Sequence, residues 1–342
     1  MVRQHGRILL TARLLRGAIF MERILCILNV RAWNHSAAST LVLTGAFVLA
    51  LVATCLVAAS PARAQENNTA KDDILVGLET ARRGAHEAAI RYYTKAIDSG
   101  ELSPHDTGMA YKARALSYHD TGNEDKALSD FAQASKLLPG DPDIYYNRAQ
   151  ILQARGDKAA ADKDMALAAQ GFAQRGNAYI DADQYDAAIA DLSKALLLAP
   201  QSQDLYILRG LAYKLQGSLQ KATDDYSRAI ELNPQDPLAY MNRGNALLKS
   251  KQYGMALMDY DKAIELNPQY GDAYFNRAAA YEMIQEYQKA VEDYTKAIKL
   301  NPKDAMAYKR RGMLRQDMGQ DSRAKRDFAA ARKIDPNIPL EN

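Results

Sequence analysis

The sequence predicts an all-α protein, an α-solenoid of about eight helix-turn-helix units. Two observations predict this fold. Prolines recur every 34 residues, at Pro200, Pro234, Pro268, Pro302 and Pro336. Small residues recur with the same period, at Gly176, Gly210, Gly244, Ala278 and Gly312. Because the two series share one phase, a single structural unit must repeat along the chain.

The unit at residues 239–268 is predicted to form two helices joined by a tight turn. Spacings of four and three residues place Tyr240, Gly244 and Leu247 on one face of the first helix. A second helix follows, and Pro268 ends it because proline cannot continue the helical hydrogen bonds. The small residues let the two backbones approach closely. A hairpin of this kind buries its apolar face only by stacking on its neighbours.

The order of residue types in this unit resembles the tetratricopeptide repeat family. The matching positions are Tyr240, Gly244, Ala256, Tyr260, Ala263 and Pro268. The resemblance extends over nearly all of the chain after residue 64. It implies a right-handed superhelix whose first helices line a concave surface, with a protein or peptide as the partner. The identity of that partner does not follow, because one fold serves many functions.

Residues 1–64 have a different composition from the repeats. A basic opening is followed by an apolar run at residues 41–59 and by Ala62-Arg63-Ala64. This order predicts a secretory signal peptide that is cleaved after Ala64, and Met21 is an alternative start. The other interpretation is an uncleaved signal anchor, since the apolar run nearly reaches the roughly 20 residues that span a bilayer. Both interpretations place the repeats on the far side of a membrane. With cleavage the protein would be periplasmic or secreted, and without it the protein would be anchored by residues 41–59.

Removing residues 1–64 changes the composition of the chain. Cys26 and Cys55 both lie there, so the remainder has no cysteine for a disulfide or a metal site. The segment contains seven arginines and one glutamate, a net charge of +6, and the whole chain carries +3. The remaining chain therefore carries −3, and its charge does not favour nucleic-acid binding. We expect membrane contact only if the leader is not cleaved.

The repeats are predicted to fall into two groups. A polar tether at residues 65–69 precedes units one to three at 70–168, and units four to eight occupy 169–338, before a tail at 339–342. Between the groups, Ala149 and Gly176 are 27 residues apart instead of 34, a deletion of seven residues. Since the apolar pattern continues in phase, we expect one fused helix over residues 157–180 and a change of direction of the superhelix there. The alternative is a helix break at Gly171, because glycine costs about 1 kcal/mol inside a helix.

Units two to eight each have an arginine directly before the small residue and an aspartate sixteen residues later. The pairs are Arg114–Asp130, Arg148–Asp164, Arg175–Asp191, Arg209–Asp225, Arg243–Asp259, Arg277–Asp293 and Arg311–Asp327. The constant spacing predicts ion pairs inside the stack, which would set the register of the helices. The functional alternative is a row of arginines that binds an acidic ligand.

The family resemblance also implies where a partner would bind. On the first helices of units five to eight, the residues that flank the buried face form a mainly apolar strip with a basic end. The candidate groove residues are Ile207, Leu211, Leu238, Met241, Asn245, Leu248, Phe275, Ala279, Met283, Lys309 and Arg310. Methionine adapts to irregular partners, and Asn245 is able to bond a peptide backbone. The alternative is that some of these side chains only pack against neighbouring units.

The sequence gives no indication of catalysis. After residue 64 the histidines are His86, His105 and His119, which lack companions at metal-ligand spacing. Phosphate loops and dinucleotide fingerprints are missing, so we expect neither an enzyme nor a cofactor. The leading hypothesis is a protein-binding scaffold of the cell envelope that acts through its concave face. The alternative is a structural part of an envelope assembly that binds through its ends or outer face, and the oligomeric state stays open.

Overall fold

The structure is a computed structural model that describes residues 69–340, and every regular element in that range is a helix. The fifteen helices of this range are α1 Ala70–Arg82, α2 His86–Asp98, α3 Pro104–Asp120, α4 Glu124–Leu137, α5 Pro142–Ala154, α6 Lys158–Asp181, α7 Tyr185–Leu198, α8 Gln203–Gln216, α9 Leu219–Leu232, α10 Pro237–Lys249, α11 Tyr253–Leu266, α12 Gly271–Met283, α13 Tyr287–Leu300, α14 Ala305–Asp317 and α15 Asp321–Ile334. The predicted all-α class and the helix-turn-helix units are confirmed.

Tight turns join the two helices of each unit. In the unit of α10 and α11, the amide of Gln252 donates to the carbonyl of Leu247 at 2.9 Å, and Lys251 adopts a left-handed φ of 63°. These contacts satisfy carbonyls that the end of a helix leaves without a partner. The short turn places α10 and α11 side by side and antiparallel.

The small residues allow the close packing that the sequence predicts. A Cβ atom at Gly244 would lie 2.7 Å from Cε1 of Tyr260, and one at Gly210 would lie 2.8 Å from Cε1 of Tyr226. Both tyrosines are fully buried. The rings therefore occupy the space that the missing side chains leave between the helices of a unit.

The predicted fused helix is present as α6, which runs without a break for 24 residues. Asp157 caps its first turn by accepting a hydrogen bond from the Ala160 amide at 3.2 Å. The helix does not break at Gly171. A Cβ atom there would lie 2.9 Å from Cβ of Pro142, so glycine permits close contact with the start of α5. One continuous helix thus serves as the second helix of unit three and the first helix of unit four.

Residues from Thr69 onward form one compact unit. The signal peptide, the cleavage point and most of the tether lie outside the described residues and stay predictions, as do the grouping of the units and the change of direction. Among the helices of residues 69–340, none is both long and apolar enough to cross a bilayer.

Candidate binding surface

The seven predicted arginine–aspartate pairs all form. Each arginine donates from Nε and from Nη2 to the two oxygens of its aspartate, at 2.5–3.0 Å. The aspartates are buried on the second helices, and the arginines come from the first helices of the same units. This two-point geometry is the strong form of a charged hydrogen bond, and it fixes one helix against the other.

A third contact of each arginine was not predicted from the sequence. In addition to its aspartate, Arg243 donates from Nη1 to the Ser227 hydroxyl of the preceding unit at 3.0 Å. Arg209 and Arg311 make the same contact to Ser193 and Thr295, at 3.1 and 3.0 Å. One guanidinium therefore joins three helices from two units. In five of the seven units the acceptor is a short polar residue directly after the core tyrosine or leucine of the preceding second helix, whereas Arg148 bonds Ser135 and Arg175 bonds Asp143.

These contacts occupy the arginine side chains. The guanidinium carbon of Arg243 also lies 5.8 Å from the ring centroid of Tyr240. The hydrogen bonds with Asp259 raise the pKa of Arg243 above its already high value, so it stays charged and paired. The arginine row thus binds the protein's own carboxylates, which favours the structural interpretation over an acidic ligand.

The candidate groove residues lie on four successive first helices, α8, α10, α12 and α14. Leu238 and Met283 are exposed over 41% and 56% of their surfaces, and Arg310 is also exposed. The half-buried members are Ile207, Leu211, Met241, Asn245, Leu248, Phe275, Ala279 and Lys309. Their role in binding a partner stays a prediction.

Several of the half-buried members also contribute to the packing of the repeats. The Phe275 ring meets the buried Tyr294 ring edge to face at 5.2 Å between centroids. Leu211 and Leu248 pack against buried clusters of their own regions. Leu238 and Met283 are therefore the exposed apolar members of the candidate groove, and the other apolar members are half-buried.

Asn245 has partners within the protein. Its Oδ1 accepts a hydrogen bond from the Tyr260 hydroxyl at 2.8 Å, and its Nδ2 donates to Met241 Sδ at 3.0 Å. Asn276 on α12 approaches the same sulfur at 3.7 Å. A small polar cluster therefore joins α10, α11 and α12 beneath the strip. One Nδ2 hydrogen and one Oδ1 lone pair of Asn245 are left over for a partner.

The corresponding tyrosines of the neighbouring units lack such an asparagine. Leu211 and Ala279 occupy the equivalent positions, and the hydroxyls of Tyr226 and Tyr294 are buried without a well-formed hydrogen bond. Glu282 lies close to Tyr294. Burial raises the pKa of the Glu282 carboxyl, and Arg310, whose Nη1 is 3.6 Å away, only partly opposes this shift.

Units two to four carry paired charges near the first helices. Lys112 Nζ lies 2.7 Å from Asp141 Oδ2, and Arg175 Nη1 lies 2.9 Å from Asp143 Oδ2. These groups satisfy one another. Exposed apolar side chains also occur on the first helices of units one and two, where Leu78 and Met109 are 47% and 41% exposed. Within residues 69–340, no group of three or more acidic, histidine or cysteine side chains is arranged to hold a metal ion.

Comparisons with known proteins agree with this architecture. Residues 237–270 and 271–304 match the sequence model described as tetratricopeptide repeat, and residues 176–217 and 210–251 match a second one described as TPR repeat. Together these matches cover residues 176–304 and support the resemblance to tetratricopeptide repeats. Proteins with these repeats mediate protein–protein interactions.

Three relatives illustrate the extent of the similarity. Over 83 residues, 24% of this chain and 15% of the relative, the chain is 41% identical to the tetratricopeptide repeat and J domain-containing co-chaperone DNJ1 of Cryptococcus neoformans. Over 98 residues, 29% of this chain and 56% of the relative, it is 33% identical to the photosystem I assembly protein Ycf3 of Cyanophora paradoxa. The chain thus spans 15% of the length of the first of these curated relatives and 56% of the second. A crystal structure of MamA matches 47% of this chain and 94% of its own, at 25% identity and a TM-score of 0.44.

Proposed function

We propose that this protein is a non-catalytic scaffold that binds another protein or a peptide segment along the first helices of units five to eight. Its tetratricopeptide repeats support this proposal. Two of its curated relatives are named as a co-chaperone and as an assembly protein. Both names describe proteins that act on other proteins, which supports a protein partner here.

The observation that carries the proposal is the open apolar strip. Leu238 and Met283 keep about half of their surfaces in water, beside Met241 and Phe275 on the same two helices. Burial of an apolar side chain contributes about 1.5–3 kcal/mol, so a partner with matching apolar residues gains affinity here. The methionines let the strip fit more than one shape of side chain.

The composition of residues 1–64 supports a proposal for where this activity takes place. Residues 1–64 combine a basic opening, an apolar run and a small-residue cleavage pattern. We therefore propose that the scaffold works on the far side of a membrane, in the cell envelope or outside the cell. Fractionation of the producing cells tests this part independently of the binding surface.

A pull-down from the producing cells tests the binding surface. We expect Leu238→Glu and Met283→Glu each to lose the partner, because a carboxylate cannot be buried against an apolar anchor without a large penalty. The matched control is Met258→Glu on the second helix α11, where the methionine is 71% exposed. It should retain the partner. Retention of the partner by both strip variants would contradict the proposal, and loss in the control would place binding on another face.

A further inference from the structure

Successive units are joined by a recurring apolar junction. Between units seven and eight, Val291 and Ile298 of α13 form one buried cluster with Ala307 and Leu314 of α14. Between units four and five, Leu196 of α7 lies in a buried cluster with both Leu205 and Ala212 of α8. The second helix of one unit therefore contacts the first helix of the next through apolar pairs.

A polar contact lies at the centre of this junction. Arg311 Nη1 of α14 donates to Thr295 Oγ1 of α13 at 3.0 Å. Each helix thus contributes a stripe of three positions, spaced four and three residues apart. The two stripes of this junction are Val291, Thr295 and Ile298 on α13, and Ala307, Arg311 and Leu314 on α14.

The last helix presents the same stripe with different chemistry. On α15 the three positions are occupied by Lys325, Ala329 and Arg332, and all three are exposed. Both apolar positions have become basic, and the hydroxyl that accepts the arginine bond has been lost. Among the described residues, neither Lys325 nor Arg332 forms an ion pair within 4 Å.

The first helix presents the complementary change. On α1 the three positions are occupied by Asp72, Val76 and Glu79. Both apolar positions have become acidic, and the arginine has been replaced by valine, which is 38% exposed. The arginine is thus missing from the stripe on α1, and the hydroxyl is missing from the stripe on α15.

We propose that these two end stripes join separate copies of the chain head to tail. A first helix runs antiparallel to the second helix before it, so that Ile298 lies near Ala307 at the connection. In the same geometry Asp72 faces Arg332, Glu79 faces Lys325, and Val76 contacts Ala329. Two ion pairs on either side of a small apolar contact take the place of the apolar pairs and the central hydrogen bond.

A purely solubilising cap accounts for the charges less well. The ends of a solenoid need polar residues, but they do not need opposite charges at matching positions. At present Glu79 bonds Arg82 and Arg83 at 2.8 Å. Surface ion pairs of this kind contribute only about 0–1 kcal/mol each, so Glu79 can exchange them for Lys325 of another copy.

The proposed junction lies on α1 and α15, which are different helices from those that carry the candidate groove residues. It is heterologous, so each copy keeps one free end and the assembly can extend. Because it depends on exposed ion pairs, it should be weak and should loosen as salt screens the charges. The side chains of the strip on α10 and α12 stay free for a partner.

Sedimentation velocity over a concentration series tests the junction, with protein purified from the cells that produce it. We expect association beyond the monomer at about 20 mM salt that weakens strongly at about 500 mM. Glu79→Lys and Lys325→Glu should each weaken it about five- to tenfold, because each reversal places like charges face to face. Lys299→Glu, an exposed reversal on α13 outside both stripes, is the matched control and should leave it unchanged.

Mixing the two reversal variants gives the decisive result. Position 79 of the Glu79→Lys variant then faces position 325 of the Lys325→Glu variant, and the two positions again carry opposite charges. The other end stripe of each variant carries the wild-type residues. We expect the mixture to associate as strongly as the wild-type protein, which also shows that both variants are folded. A wild-type protein that stays monomeric throughout the series, or association that neither reversal changes, would overturn the proposal.

Discussion

Arg243 ties three helices together through one guanidinium. It bonds Asp259 on α11 at two points, reaches Ser227 on α9, and lies near the ring of Tyr240 on its own helix. The free energy needed to desolvate such a charged pair offsets much of the attraction between the two charges, so the net gain in stability is small. The pairs set the register in which one helix lies against the next, and six other units repeat the arrangement.

Removal of Arg243 should nevertheless be strongly destabilising. In Arg243→Ala the carboxylate of Asp259, which is only 5% exposed, loses its partner. We expect the free energy of unfolding to fall by about 3–5 kcal/mol, measured by urea denaturation. In the double variant with Asp259→Ala the loss should be clearly smaller than the sum of the two single losses. Additive losses would show that the two side chains do not act as a pair.

Glu282 should make stability depend on pH. Burial raises its pKa in the folded protein. At pH values between the ordinary pKa and the raised one, the folded protein therefore keeps a proton that the unfolded chain has lost. Stability from this group therefore falls as the pH rises through the ordinary glutamate pKa towards the raised value. We expect Glu282→Gln to be more stable than the wild type at pH 7 and equal to it at about pH 3.

A second glutamate provides the control for this measurement. Glu292 is exposed on α13, so Glu292→Gln should change stability by less than about 0.5 kcal/mol at either pH. Thermal unfolding at both pH values, followed by circular dichroism, measures both variants. A Glu282→Gln variant that is less stable than the wild type at pH 7 would show that its contact with Arg310 outweighs the penalty of burial.

Contacts between residues were predictable from the sequence where one spacing recurs. The sixteen-residue separation of arginine and aspartate made their pairing predictable, whereas the third bond of the arginine was not. The acceptor of this bond changes with the unit. It is Ser227 for Arg243, Asp261 for Arg277 and Ser135 for Arg148. The bond between Asn245 and Tyr260 was missed because no other unit has an asparagine beneath its tyrosine.

At the scale of elements, α6 is the departure from the regular repeat. The deletion removes the turn between two units, and the apolar pattern continues in phase across the join, which made the fused helix predictable. The role of Gly171 was not predictable. It depends on contact with Pro142, which lies 29 residues earlier in the chain and at the start of a different helix.

Hydrogen exchange tests the continuity of α6. Because the helical hydrogen bonds run through Gly171, we expect the amides of residues 168–175 to exchange as slowly as those of the rest of the helix. The amide of the exposed Gln201, in the connection after α7, supplies the fast reference within the same experiment. Fast exchange confined to residues 169–173 would mean that the helix opens at the glycine.

At the scale of the whole molecule, eight units share one packing scheme, and they differ in the surfaces that they leave open. The buried positions repeat, so the fold was predictable from periodicity. The open positions do not repeat: the strip is apolar on α10 and α12, acidic residues mark the stripe on α1, and basic residues mark the stripe on α15. Exposure depends on what each unit stacks against, which periodicity alone does not give.

Crosslinking in the producing cells tests the binding strip most directly. A photoreactive amino acid is placed at Leu238, at Met283, or at Met258 on the second helix α11, where 71% of the methionine is exposed. The proposed function predicts one shared crosslinked partner at the first two positions and none at the third. A partner crosslinked at Met258, with none at Leu238 or Met283, would contradict binding along the first helices.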